Sequence, residues 1–239
     1  MNDGSSLAHQ AMQAVRAHIH DQALRVGDSL PGEAHFAAQL GVSRAVMREA
    51  FGALAALKLI DVGNGRRPRV AAIDGSVIAT SLNHAVSTAQ ITVREVWDVR
   101  RTIEQRTAAL AAVSRTAAEA AEIARLAEAM AADNGDMDRT TRDDIAFHAA
   151  IARASHNGLF VQIVASFGPL MAVAVPAAWR TRAARNSKMV MIERHRAVAR
   201  AIVDGDPAAA AAAMDAHFDA SVGAGLEDLG GIDPGGGRA

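Results

Sequence analysis

The chain has 239 residues, 21% of them charged, with a formal net charge of −1 and no cysteine. That length suits one large domain or two modest ones, and the missing cysteine excludes disulfides and thiolate metal sites. Aromatic residues reach only 3% against 50% hydrophobic residues overall, so close-packed small-residue helices are expected rather than an aromatic-rich β-sandwich.

Charge is unevenly spread. Residues 1–70 hold eight Lys/Arg against six Asp/Glu, and residues 71–239 hold seventeen against twenty. The total argues against a general polyanion binder, but the asymmetry fits one small face that meets nucleic acid. The N-terminus shows no basic segment leading into an apolar run, so no export signal is read and a cytoplasmic location is expected.

Leu7 to Leu24 reads as an amphipathic helix that braces a helical hairpin. Glu33 to Leu40 carries Phe36, Ala37 and Leu40 at helical spacing, Gly41 supplies a left-handed stop, and Ser43 is a good N-cap for a second helix. In that helix Val46, Ala50, Leu54 and Leu57 are expected on the inner face. Arg44 and Arg48, one turn apart with Ala45 beside them, point nearly the opposite way. A capped amphipathic helix presenting two arginines from its first turns suits a DNA major groove, where arginine binds guanine O6 and N7 bidentately. The alternative is a helical hairpin with a solvated basic face. Downstream, Leu59–Val62 and Val70–Ala71 read as two short strands around the glycine-rich turn Gly63-Asn64-Gly65, followed by Arg66, Arg67 and Arg69. A basic hairpin just after a recognition helix is a wing, suited to phosphate or the minor groove.

Residues 24–71 thereby resemble the winged helix of the GntR transcription regulators. The family pattern L-x-x-G-x-x-LPSER-x-LA-x-x-LGVSR-x-x-VREAL, then a G-x-G wing, is met by Leu30, Pro31, Glu33, Gly41, Val42, Ser43, Arg44, Arg48, Glu49 and Ala50. Two departures stand out: Gly32 for the serine, and Ala34 for an arginine that helps contact DNA in the family. The resemblance implies DNA contacts from Ser43, Arg44, Ala45, Arg48, Gly65, Arg66, Arg67 and Arg69. The wing arginines are the candidates to replace the missing contact, unless the preferred operator differs.

Beyond Ala72 the chain reads as helical. A linking helix, Gly75 to Ser87, occupies a connecting segment 74–91. Capping boxes at Thr92–Glu95 and Thr116–Glu119 open two helices, ending near Val113 and Ala132. After an Asn134-Gly135-Asp136 turn another helix runs through Ser155. Val161 to Trp179 is almost uncharged but holds Gly168-Pro169 and Pro176, which predicts a buried, kinked helix rather than a membrane span. A helix follows from about Asn186 to Val203, then one opened by Asp206 and Pro207 and ending near Val222. A glycine-rich tail, 225–239, is expected to be disordered.

The chemistry of this half lies in Asp144, His148, His195 and His217. Asp144 and His148, four residues apart, share one helix face and can chelate one ion. His195 lies eleven residues before Asp206 and His217 eleven after it, so an antiparallel helix pair brings them to one level. Three imidazoles and a carboxylate suit zinc, nickel, cobalt, iron(II) or manganese. With nine histidines in the chain, some suggestive spacings also arise by chance; His9, His18, His20, His35, His84 and His156 read as surface, capping or packing residues.

Residues 92–222 in turn resemble the FCD ligand-binding domain of the FadR subfamily of GntR regulators. The matching stretches are Val96–Glu104, Asp144–His148 with Ser155-His156-Asn157, Glu193–His195 and Ala213–His217. The resemblance implies a mainly α chain: a winged helix-turn-helix with a small β-hairpin wing (1–73), a linking helix (74–91) and an all-α helical bundle of FCD type (92–224). It assigns Asp144, His148, His195 and His217 to a divalent metal, zinc first, with nickel or manganese as alternatives. It also assigns Arg100 to the carboxylate of a small-acid or sugar-acid effector; a salt bridge to Glu104 is the competing reading. The function implied is that of a homodimeric transcription regulator, usually a repressor, that binds inverted-repeat operator DNA, has no membrane partner and is not an enzyme. The competing readings are a metal-dependent enzyme at a His₃Asp site, with Glu193 as a nearby acid/base group, and a direct metal-ion sensor.

Overall fold

The computed structural model describes residues 6–63, 65–132, 136–181 and 185–222, without the side chains of 177–181, 185–188 and 220–222. The expected turn residues Asn64, Asn134 and Gly135 and the expected disordered tail 225–239 lie outside the described residues. The chain divides into two units, 1–77 and 78–239.

In the first unit α1 (Leu7–Asp21) starts at Ser6, whose hydroxyl accepts the His9 N–H at 3.2 Å. It ends short of Leu24 because Ala23 turns to a φ of 49°, which a right-handed helix cannot continue. Helix α2 (Glu33–Leu40) stops at Gly41, with φ 66°, as the left-handed reading requires. Helix α3 (Arg44–Ala56) is capped by Ser43, which accepts from the Val46 N–H at 3.2 Å.

The inner face of α3 differs from the expected one. Met47, Ala50, Phe51 and Leu54 are buried, Val46 is half-buried, and Leu57 is 45% exposed. The 47/50/51/54 pattern is also helical, and it buries more apolar surface because it uses the phenyl ring and the thioether. Phe36 packs against Phe51 at a 6.0 Å centroid separation, and both join Ala11, Val15, Leu30 and Ile60 in one core.

The wing is shorter than its sequence pattern, with β1 (Ile60–Asp61) antiparallel to β2 (Arg69–Val70) and Ile60 opposite Val70. On its other edge β2 meets the segment before α2: Val70 N–H donates to Asp28 O at 2.9 Å, Gly27 N–H to Val70 O at 2.9 Å, and Leu30 N–H to Pro68 O at 2.8 Å. The root of the wing is therefore hydrogen-bonded on both sides.

Helix α4 (Ser76–Ser87) crosses the division between the units. The second unit consists of α5 (Val93–Ser114), α6 (Ala117–Ala131), α7 (Met137–Ala154), α8 (Gly158–Ser166), α9 (Gly168–Thr181), α10 (Arg185–Asp204) and α11 (Pro207–Val222). Both capping boxes form reciprocally, at Thr92/Glu95 and Thr116/Glu119. Asp206 caps α11 by accepting the N–H groups of Ala208 and Ala209.

The apolar stretch expected as one kinked helix is two, α8 and α9, bent by 45°. Pro169 has no N–H for Ala165 and its ring crowds that carbonyl, so α8 cannot run on; Pro176 is accommodated inside α9. Val164, Phe167, Leu170, Met171, Ala174 and Val175 are buried, all but Val164 within the main core cluster. Among the described residues no single helix is long and apolar enough to cross a membrane.

Candidate functional sites: a basic helix with its wing, and a buried histidine centre

Arg44, Ala45 and Arg48 project exposed from the first turns of α3. The Ser43 hydroxyl is already engaged by the Val46 amide, so its side chain sets where α3 begins. Arg48 Nε lies 3.9 Å from Glu33 Oε2, an exposed and loose pair that a phosphate or base edge can displace at little cost. In the wing, Gly65 has φ +72°, a conformation L side chains rarely adopt. Arg66 and Arg67 are exposed. Arg69 differs from them: its Nη1 donates to Gly27 O at 2.6 Å, tying the wing to the segment before α2.

In the second unit, helical geometry sets Asp144 and His148 one turn apart on α7. The α10–α11 turn brings His195 and His217 together, with ring centroids 4.4 Å apart. His148 completes the group, 5.1 Å from His217 and 6.1 Å from His195. One nitrogen of each ring lies within 4.8 Å of the others. Asp144 Oδ1 sits 3.1 Å from His195 Nε2. All four side chains are buried.

The hydrogen bonds orient these rings. His195 Nδ1 is 2.8 Å from Met191 O, and a carbonyl only accepts, so Nδ1 carries the hydrogen. In the neutral imidazole Nε2 then turns a lone pair toward Asp144. Burial pushes the Asp144 carboxyl up, but the His195 hydrogen bond and the charges of His148, His195 and Arg100 outweigh it and hold it at about 2. A lone pair facing a carboxylate is reconciled by a positive charge between them, either a proton or a metal ion. His148 Nδ1 bonds to Glu104 Oε2, which leaves its Nε2 for the centre. Burial raises the Glu104 carboxyl too, yet Arg100 and His148 hold it below the usual carboxylate range. A carboxylate behind an imidazole is the arrangement that fixes the tautomer of a ligating histidine. The donor set and its outer partners thus fit a divalent ion.

Arg100 is engaged behind the centre. Its Nε donates to Glu104 Oε1 at 2.7 Å, its Nη1 meets Met171 Sδ, and its guanidinium lies 5.0 Å from the Trp97 ring and 5.4 Å from the Phe218 ring. Glu193, the candidate acid/base group of the enzyme reading, is exposed and accepts from Arg196 Nη1 at 2.7 Å. Residues 193 and 195 fall on different sides of α10, because two residues turn a helix through about 200°.

Glu104 is the residue whose role sequence reasoning misses. Its trace is present: Arg100 and Glu104 interrupt the buried stripe Val96, Trp97, Thr107, Ala108 and Ala111 of α5. Charges on an inner helix face, one turn apart, need buried partners.

Residues 95–220 match the FCD domain family, and residues 7–70 match the bacterial regulatory proteins of the gntR family. The chain belongs to the GntR family. Its pairing of GntR and FCD domains is that of FadR-like members, which are transcription regulators and not enzymes. It is 34% identical over 164 residues to the Glc operon transcriptional activator of Escherichia coli K12, covering 66% of this chain and 65% of that protein. The chain thus spans about two thirds of that relative's length. A putative L-lactate dehydrogenase operon regulatory protein of E. coli K12 is 32% identical over 217 residues, covering 89% of this chain and 83% of the relative. Among solved structures, Streptococcus agalactiae GntR shares the fold, with a TM-score of 0.64 at 22% identity, over 89% of this chain and 97% of that one.

Proposed function

We propose that this GntR-family chain is a homodimeric transcription regulator that holds inverted-repeat operator DNA and is released by a small acid bound at a metal in its second unit. The observation that carries the reading is a capped helix exposing Arg44 and Arg48 in one unit and, in the other, three buried histidines drawn together with the Asp144 carboxylate against His195. The duplex contacts fall to Arg44, Ala45 and Arg48, with Gly65, Arg66 and Arg67 on the wing and Ser43 fixing the helix start. Arg69 contributes by holding the wing. Two-fold protein symmetry calls for an operator with matching symmetry.

Asp144, His148, His195 and His217 would hold a divalent ion, zinc in the first instance, with nickel or manganese as the alternatives that a sulfur-free set accepts. Bound there, the ion supplies a Lewis-acidic anchor for oxygen ligands. Relatives of E. coli K12 named for an L-lactate dehydrogenase operon and a galactonate operon support a hydroxycarboxylate or sugar acid as effector. Arg100, close behind the centre and already oriented by Glu104, supplies the positive charge for the acid's carboxylate. Regulation requires the acid to bind the released state more tightly than the DNA-bound one.

The test is a gel-shift assay on overlapping duplex fragments from upstream of the chain's own gene, with metal-loaded and metal-stripped protein and a panel of 2-hydroxy and sugar acids. The expected result is one retained fragment, released by one acid only when metal is present. Release by metal alone would make the protein a metal sensor. Retention of no fragment at low salt would overturn the regulator reading.

A further inference from the structure

We infer that an open pocket of about 490 Å³ in the first unit, lined by His18, Gln22, Ser29, Gly32, His35 and Arg67, is a seat for a backbone phosphate of the bound duplex. The inference rests on the proposed DNA-binding role and adds contacts to it that the family pattern does not carry.

Four pieces of chain meet at this pocket: the end of α1 with its C-cap (His18, Gln22), the segment before α2 (Ser29), the N-cap and first turn of α2 (Gly32, His35) and the wing (Arg67). Its polar lining consists of a guanidinium, two imidazoles, a carboxamide and a hydroxyl, with no carboxylate. Each of these groups can donate hydrogen bonds, and several can carry positive charge, which is the chemistry of an oxyanion site. The imidazoles are held in place. The His18 ring stands edge-on to buried Phe36 at 5.3 Å, and the His35 ring does so at 5.8 Å. Gly32 gives α2 no side-chain cap, so no hydroxyl competes with an anion for the first amides of that helix.

The location selects the anion. Glu33, next to Gly32, lies 3.9 Å from Arg48 on the proposed recognition helix, and Arg67 belongs to the wing. The pocket therefore lies between the wing and the start of α2, which reaches the recognition helix through Glu33. A sugar-phosphate strand passing from α3 to the wing presents a phosphate to it.

Backbone contacts are read by salt dependence, and they act on any sequence. The experiment measures fluorescence-anisotropy affinities of the full-length protein for two unrelated duplexes over a range of salt. The wild type is compared with His18→Gln/His35→Ala and with Ser29→Asp, which puts a carboxylate into the pocket. Circular dichroism verifies that each variant keeps its helicity. The expected result is weaker binding by the same factor on both duplexes in each variant, with the slope of log affinity against log salt shallower in Ser29→Asp, whose carboxylate is set against Arg67. Wild-type slopes and affinities in both variants would overturn the seat. A parallel titration with inorganic phosphate, followed by NMR of the imidazoles, separates the sources. If phosphate shifts both rings while the DNA slopes stay unchanged, the pocket serves a free anion and the duplex assignment falls. A wild type that binds neither duplex would overturn the regulator reading itself, and this seat with it.

Discussion

Asp144 and His195 show how a buried centre declares its charge. The carboxylate is held at about 2 in a site that by burial alone would neutralise it, and the imidazole facing it has its Nδ1 hydrogen committed to Met191 O. Glu104 does for His148 what the Met191 carbonyl does for His195, with a full negative charge. Glu104→Gln keeps the shape but loses that charge, so divalent-ion affinity should fall by about 10–100-fold, as read by competition with a chromophoric chelator. An unchanged affinity would reduce Glu104 to a partner of Arg100. His195→Ala should abolish stoichiometric metal uptake in a protein that remains helical; metal content equal to wild type would sink the ligand assignment. On α3, Arg44→Ala and Arg48→Ala should each cost roughly 1–3 kcal/mol on the true operator and blunt its discrimination against mutated sites. The loose pair between Arg48 and Glu33 predicts little change in thermal stability from Arg48→Ala.

Helices in this chain are set by their ends. The Thr116/Glu119 box gives a pH-dependent test, because the Thr116 backbone N–H, His156 and the Thr116 hydroxyl together hold the Glu119 carboxyl at about 2. A carboxyl depressed in the folded state stabilises the fold above its ordinary value and loses that contribution as pH falls toward the depressed one. The stability gap between wild type and Glu119→Gln, measured by urea denaturation, should therefore be constant above about pH 5 and shrink as pH falls toward 2. A gap independent of pH would reject the box as its source. These ends were also what the sequence disclosed best: Ser43, Gly41, Thr92, Thr116 and Asp206 each act through local hydrogen bonds that depend on near neighbours. Features decided by distant packing were harder to read. The inner face of α3 turned on whether Phe51 or Leu57 found space in the core, and the α8–α9 break required knowing that Gly168-Pro169 ends a helix where Pro176 does not. Asp144 with His148, and His195 with His217, were readable as two pairs because each spacing follows helix geometry; that the pairs meet depends on how α7 packs against α10 and α11. Glu104 was not, because its partner His148 lies 44 residues away.

At the scale of the whole molecule, a centre built from α7, α10 and α11 would, on taking up an ion, make folding and metal binding one equilibrium. A site that exists only in the folded state adds about 2.7 kcal/mol at a hundredfold excess of ion over its dissociation constant. Stripping the protein with a chelator should lower its melting temperature, and re-adding zinc should restore it. The same treatment of His217→Ala should change nothing, and equal melting of loaded and stripped wild type would count against a resident ion. The order of the proposed ligands along the chain has its own consequence. Two of the four come from the last two described helices, whereas α6, packed alongside, donates none. An occupied centre would rivet the C-terminal end of the fold to its middle, so that α11 could no longer fray before the rest of the bundle. Amide hydrogen exchange would register this as slowed exchange along α11 on zinc addition, larger than any change in α6.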